Sequence, residues 1–236
     1  MSNPYFKFKQ FTVWHDKCAM KVGTDGVLLG AWTLVESAHR ILDIGTGTGL
    51  VALMLAQRSL PDANIVALEI DEAAVGQARE NIIRSPWKER VEVVQADFKK
   101  YRSSDKFDVI VSNPPYFVDS LECPDRQRAA ARHNDSLTYE DLLEGVSGLL
   151  AEDGFFTMVI PADVAERVKK IASIKKLYAV RQLNVITKPG GIPKRVLITF
   201  SFSNQECIVE ELLTELARHQ YSEEYMTLTR DYYLNM

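Results

Sequence analysis

Residues 40–58 read RILDIGTGTGLVALMLAQR, and this stretch decides the fold. Ile41, Leu42 and Ile44 make a short apolar run with the character of a strand buried on both faces. The run stops at three alternate glycines, Gly45, Gly47 and Gly49. Helical apolar spacing follows and ends ahead of Pro61. Glycines between a strand and a helix allow a tight turn and close approach of a ligand to the backbone. The N-terminus of the helix that follows favours negative groups. The spacing is GxGxG, not the GxGxxG of the dinucleotide fingerprint, so the loop alone is a weak signal.

Working outward, the same alternation continues. NIVALEID (64–71) reads as a strand, and EAAVGQARENIIRS (72–85) as a helix ending ahead of Pro86. RVEVVQAD (90–97) and FDVIVSN (107–113) are strands. TYEDLLEGVSGLLAEDG (138–154) is a helix, with Thr138 as N-cap, Asp141 three residues on and Gly154 beyond its end. FFTMVIP (155–161) is a strand and DVAERVKKIASI (163–174) a helix. YAVRQLNVIT (178–187) and RVLITFSF (195–202) are joined by the turn-rich KPGGIPK, too short for a crossover helix. The expected fold is therefore α/β: a doubly wound, mostly parallel, seven-stranded Rossmann-like sheet with a C-terminal antiparallel hairpin closing one edge. Residues 1–39 read as a small strand-bearing N-terminal extension, and 40–236 as the main domain. In EELLTELARHQ (210–220) the i, i+3/i+4 apolar spacing predicts an acidic C-terminal helix packed on the sheet.

The 236 residues, 46% hydrophobic and 25% charged, suit one large soluble domain. Cys18, Cys123 and Cys207 are scattered and include no CxxC pair, which argues against a disulfide framework or a zinc site. No apolar run has the length of a signal peptide or membrane span, so a cytoplasmic protein with no membrane partner and no metal is expected. The net charge of −4 argues against nucleic acid, but its distribution softens that. From Glu206 onward seven acids face two arginines, which leaves the preceding residues slightly positive. Basic clusters there (Lys7/Lys9, Lys17/Lys21, Arg126/Arg128/Arg132, Lys194/Arg195) could neutralise phosphates, although each alone also suits a solvated surface.

Acids stand at the ends of successive strands. Asp43 precedes the glycine loop, the second strand ends Leu68-Glu69-Ile70-Asp71, and the third ends Ala96-Asp97-Phe98. A carboxylate at the second strand end can accept from both hydroxyls of a ribose, and one at the third from an adenine amino group. Any single acid could be a helix cap. Together they fit an adenosine-bearing ligand at the carboxyl ends of a parallel sheet.

DIGTGTG, LEID and ADF resemble the class I S-adenosylmethionine-dependent methyltransferases over roughly residues 40–200. The resemblance implies Gly45, Thr46 and Gly47 around the methionine moiety, Glu69 on the ribose, and Asp97 and Phe98 at the adenine. Asp43, Gly49, Ile70 and Asn113, with Lys21, Thr24 and Asp25, complete that expected cofactor set. An NAD enzyme is the competing reading, disfavoured by the glycine spacing.

The fourth strand ends Asn113-Pro114-Pro115-Tyr116. The lone pair of an exocyclic amine such as adenine N6 is delocalised, and the nitrogen must rehybridise as it attacks a sulfonium methyl. Two acceptors aimed at its N–H bonds favour that transition state. The Asn113 side chain can supply one and a proline carbonyl, held by restricted φ, the other. Tyr116 can stack on an extruded base. A rigid turn would account for the prolines alone; at this strand end the motif resembles the adenine-N6 and glutamine-N5 branches of the family.

The N-terminal FKFKQF (6–11) and the stretch from Asp16 to Trp32, with LDIGTGTGL, NPPY and the terminal YYLN (232–235), closely resemble the bacterial tRNA adenine-N6 methyltransferases that modify position 37 of a valine tRNA. By matched position Lys21, Thr24, Asp25 and Gly26 would lie over the cofactor end of the sheet, though a glycine turn before a helix explains Gly23 and Gly26 equally well. The resemblance implies a tRNA anticodon loop as partner, with Lys7, Lys9, Arg126, Arg128 and Arg132 as expected backbone contacts and a monomeric enzyme. A glutamine methyltransferase acting on release factors is the first rival, disfavoured because few residues precede the glycine loop. A non-catalytic RNA-binding protein that kept the fold is the second.

Overall fold

The computed structural model describes residues 3–18, 21–114, 137–218 and 220–235. Its centre is an eight-stranded sheet flanked by helices on both faces. The chain enters through a small hairpin, β1 (Tyr5–Lys7) and β2 (Thr12–Trp14), and helix α1 (Thr24–Trp32). Two βα steps and a strand follow: β3 (Arg40–Ile44) and α2 (Leu50–Arg58), β4 (Asn64–Glu69) and α3 (Glu72–Ile83), then β5 (Val91–Gln95). β6 (Phe107–Ser112), α4 (Tyr139–Leu149), β7 (Leu150–Pro161) and α5 (Ala165–Ile174) continue the alternation. The chain closes with β8 (Tyr178–Ile186), β9 (Arg195–Ser201), β10 (Ile208–Leu213), the short pair β11 (Glu215–Ala217) and β12 (Gln220–Tyr221), and α6 (Glu223–Thr229).

The strand order is β10-β8-β9-β7-β6-β3-β4-β5. Only β9 runs against its neighbours, so the carboxyl ends of the other seven and the start of β9 share one edge. Order reverses between β3 and β6, the crevice where open α/β sheets bind ligands. The sheet is buried on both sides, which explains the near-continuous apolar strands. One core packs α1, α2, α3 and the two chain ends on one face; the other packs α4 and α5 on the opposite face. Thr138 caps α4 as expected, and Asp141 returns the bond to make a capping box.

The structure corrects the expected C-terminal helix. Ile208–Leu213 form β10, paired in parallel register with β8 from Ile208↔Arg181 to Leu213↔Ile186. The expected hairpin β8–β9 is present, but β8 is covered by this eighth strand, so the hairpin does not close the edge. Helical apolar spacing loses here because β8 offers a row of backbone donors and acceptors that must be paired. Leu212 still turns inward, and Glu210 binds Arg181 across the two strands at 2.7 Å. Among the described residues no helix is long and apolar enough to cross a membrane.

Candidate functional site

The glycine loop connects β3 to α2 at the shared edge. Gly45, Gly47 and Gly49 all have positive φ (73°, 56° and 81°), a region other residues enter only with strain. A β-carbon added at Gly45 or Gly47 would meet nothing within 4 Å, so the loop presents bare backbone to open space. At Gly49 it would meet Ala78 at 3.5 Å, so that glycine also serves the packing of α2 on α3.

Asp43 lies beneath the loop and is fully buried. Its Oδ2 accepts from the Thr46 hydroxyl at 2.6 Å and from the Ala52 amide at 3.1 Å. Burial pushes the carboxyl up to about 7; the two donors oppose this, and the nearby Glu69 adds to it. These bonds staple the loop to the first turn of α2. Thr46, buried with it, is therefore the partner of Asp43.

Glu69 ends β4 and reaches back. Its Oε2 accepts from Gly47 N at 2.9 Å, and its Oε1 from the amides of Ile70 and Asp71 at 2.8 and 3.1 Å. Three of roughly four carboxylate acceptor positions are thus used. Ile70 beside it is well exposed. At the end of β5, Asp97 accepts from the Lys99 amide at 3.0 Å and lies 3.6 Å from the Lys100 ammonium. Phe98 turns away from the edge into the core: a β-carbon on Gly145 of α4 would stand 2.5 Å from its ring.

Asn113 and Pro114 follow β6. Ser112 donates to the Ile44 carbonyl at 3.0 Å, which aligns this strand end with the start of the glycine loop. α1 lies over Asn113, for a β-carbon on Gly26 would stand 3.9 Å from Asn113 Nδ2 and 3.1 Å from Leu50. Gly26 therefore permits close approach of α1 to the site. Beside it, Asp25 accepts from Arg195 Nε at 3.1 Å, tying the first turn of α1 to the start of β9. Thr24 and Lys21 are exposed at the same end of α1.

The segment before α1 is anchored beside the glycine loop. Asn81 of α3 is buried and holds Trp14 through both its amide atoms at 2.9 Å; its Nδ2 also donates to the Thr48 carbonyl. Lys17 N donates to Gln77 Oε1, and Lys17 pairs with Glu80. Burial, with Glu69, Asp71 and Asp16 nearby, pushes the Cys18 thiol up to about 11, so it stays protonated. Asn81 and Ser112 were not among the expected site residues, and Arg195 stood only in a basic cluster. The available signal for Asn81 was a polar residue inside the apolar pattern of α3.

Of the expected phosphate contacts, Lys7 is exposed on β1. Lys9 instead donates to the Arg230 carbonyl, and its amide to that of Tyr232. Pro115, Tyr116, Arg126, Arg128 and Arg132 lie outside the described residues.

A doubly wound sheet with a glycine cradle, strand-end acids and an Asn-Pro pair at one edge is the layout of a class I methyltransferase. A profile described as "Methyltransferase small domain" matches residues 22–175. Among solved structures, a protein described as a predicted O-methyltransferase from Agrobacterium tumefaciens superposes with a TM-score of 0.69 at 19% identity, covering 90% of this chain and 100% of its own. Proteins named tRNA1(Val) (adenine(37)-N6)-methyltransferase are similar throughout. One from Bacteroides thetaiotaomicron is 78% identical over 236 residues, 100% of both chains, and one from Aeromonas hydrophila is 47% identical over 99% of both. The chain belongs to this family of methyltransferases.

Proposed function

We propose that the protein transfers a methyl group from S-adenosylmethionine to the exocyclic N6 of an adenosine in tRNA, at position 37 in the anticodon loop of a valine tRNA. The observation that carries this reading is Asn113 at the edge of the sheet, between the open glycine cradle and the overlying turn of α1. The full-length relatives point to the same reaction and supply the tRNA.

The cradle fits the cofactor, because Gly45 and Gly47 face open space where a β-carbon would intrude. Backbone at Gly45, Thr46 and Gly47 holds the methionine end, on a loop fixed by Asp43. Glu69 takes the ribose hydroxyls. With three acceptor positions already used, the bond to Gly47 N is the one they replace, which couples ribose binding to the loop. Asp97 accepts from the adenine amino group, Phe98 shapes that wall from below, and Ile70 covers it from the exposed side. Residues 1–39 act as a cover, with Lys21, Thr24 and Asp25 above the cofactor end. When bound, S-adenosylmethionine supplies the electrophilic methyl.

Asn113 Oδ1 and the Pro114 carbonyl accept the two N–H bonds of N6 and turn its lone pair toward the methyl. Neither acceptor is basic, so the proton released after transfer leaves to water. Pro115 stiffens the turn, and Tyr116 stacks on the extruded base; base extrusion is cheap in a loop already single-stranded. Lys7, Lys9, Arg126, Arg128 and Arg132 contact phosphates. The protein acts as a monomer.

Labelled S-adenosylmethionine incubated with tRNA, with an isolated anticodon stem-loop, or with a release factor tests the reading. Label is expected on adenine N6 of both RNAs. Label on the release factor alone would replace it with glutamine methylation; label on none, with bound tRNA, would indicate a non-catalytic binder.

A further inference from the structure

A cavity of about 840 Å³ opens between the two chain ends, on the far side of the first turn of α1 from Asn113. Gly26 faces Asn113, while Thr24 and Asp25, in the same turn, line the cavity. Its floor is a run of aromatic rings. Phe6 of β1 meets Tyr233 edge-on at 5.8 Å, Tyr233 lies 6.5 Å from Tyr225, and Tyr225 lies 5.2 Å from Tyr221. Tyr225 is buried, but Phe6 and Tyr221 remain more than a third exposed at either end of the run. In a chain of net charge −4, the lining carries Lys7, Lys194 and Arg195 against Asp25 and Glu215.

We infer that this cavity is a second nucleotide subsite, which stacks an unpaired base of the anticodon loop while the target adenosine occupies the Asn113 site. The inference rests on the tRNA reading above and deepens it. Exposed rings beside cations are the combination that holds single-stranded nucleic acid: every base has a π-face, and the cations follow the backbone. A volume near the upper end of the range for small-ligand sites has room for a nucleotide. The shared turn of α1 sets the register, because one wall serves both sites. Two bases splayed to either side of α1 would fix which loop adenosine reaches Asn113.

An anticodon stem-loop carrying 2-aminopurine at the loop position next to the target adenosine tests this in the full-length protein. Wild type should quench the probe. Tyr221→Ala and Phe6→Ala should each weaken stem-loop KM by about tenfold or more, with kcat at saturating RNA and cofactor affinity unchanged. Tyr221→Phe should behave as wild type. Lys7→Ala should lower the salt slope of binding by about one. An unmoved KM and intact quenching in folded Tyr221→Ala and Phe6→Ala, with tRNA still methylated, overturn the subsite and leave the function standing. Quenching that depends on Tyr221 in a protein that methylates no tRNA keeps the subsite and overturns the function. Neither quenching nor methylation overturns both.

Discussion

The two halves of the site are built differently. On the cofactor side, from β3 to β5, polar ties span short stretches of chain: Asp43 to Thr46 and to Ala52, and Gly47 to Glu69. On the acceptor side they join distant parts. Asp25 meets Arg195, Lys9 meets Arg230, and Phe8 bridges to Tyr233. A cradle made by neighbouring βα units is complete once those units pair. The wall made by the chain ends exists only when the N-terminal hairpin and the C-terminal segment meet. Cofactor binding should therefore tolerate changes in the C-terminal segment, whereas RNA binding should not.

The largest effect expected concerns the self-contained half. In the fold Asp43 keeps its proton up to about 7, whereas in the unfolded chain it loses it near pH 4. Between those values the unfolded state binds fewer protons, so the contribution of Asp43 is fully present below pH 4 and is lost as pH rises through 7. The span is about 4 kcal/mol as an upper bound. Denaturant melts of wild type and Asp43→Asn between pH 4 and 8 should show wild type losing stability relative to the variant as pH rises. A constant difference would mean that Asp43 ionises normally and that the loop is held less tightly than its bonds imply.

Next is Asn113→Ala. Removing one of two acceptors at the reacting nitrogen should lower kcat by about 10²–10³. Cofactor affinity should change less than turnover. Turnover equal to wild type would remove Asn113 from the chemistry.

The same difference in construction governs what could be read from the sequence. Local ties leave local patterns: a strand, alternate glycines, an acid before them and another after the next strand. The Thr138–Asp141 cap was equally legible, because both partners lie in one turn. Residues 210–220 were not legible. Their helical spacing is real, but the open edge of β8, earlier in the chain, takes Ile208–Leu213 as a strand. FKFKQF and YYLN stood out as motifs, but their reason is mutual. Phe8 stacks on Phe11 at 4.7 Å and on Tyr233 at 5.9 Å, and Tyr232 is buried with its hydroxyl on the Met54 carbonyl. Lys9 belongs to the same lock, which no charge pattern announces. Phe98 reads as an adenine contact from its place after Asp97, yet it packs under α4, because Gly145 leaves room for its ring.

Glu69→Ala sharpens the comparison from the cofactor side. It removes the carboxylate proposed to accept from the ribose and the bond that holds Gly47. Hydrogen bonds to a charged group are worth about 1.5–3 kcal/mol, so cofactor Kd by calorimetry should rise roughly ten- to a hundredfold. RNA affinity in the absence of cofactor should stay within twofold. A comparable loss of RNA affinity would mean that the two halves are not independent.

The smallest effect is expected at the join between them. Asp25 and Arg195 are both about two-thirds buried and pair at 3.1 Å. The pair keeps partial access to solvent, which screens it, so Asp25→Asn or Arg195→Ala should each cost about 1 kcal/mol of stability. Their value lies in what else moves. The pair positions the turn of α1 that covers Asn113, and Arg195 comes from β9, on the acceptor half. If positioning is its whole role, both single variants should raise tRNA KM by the same small factor with cofactor Kd unchanged, and the double variant should be no worse than either. If Asp25 also touches the cofactor, Asp25→Asn alone should weaken cofactor binding, and the two variants would then add. The cycle thus decides whether α1 is only the wall of the acceptor half or is shared by both.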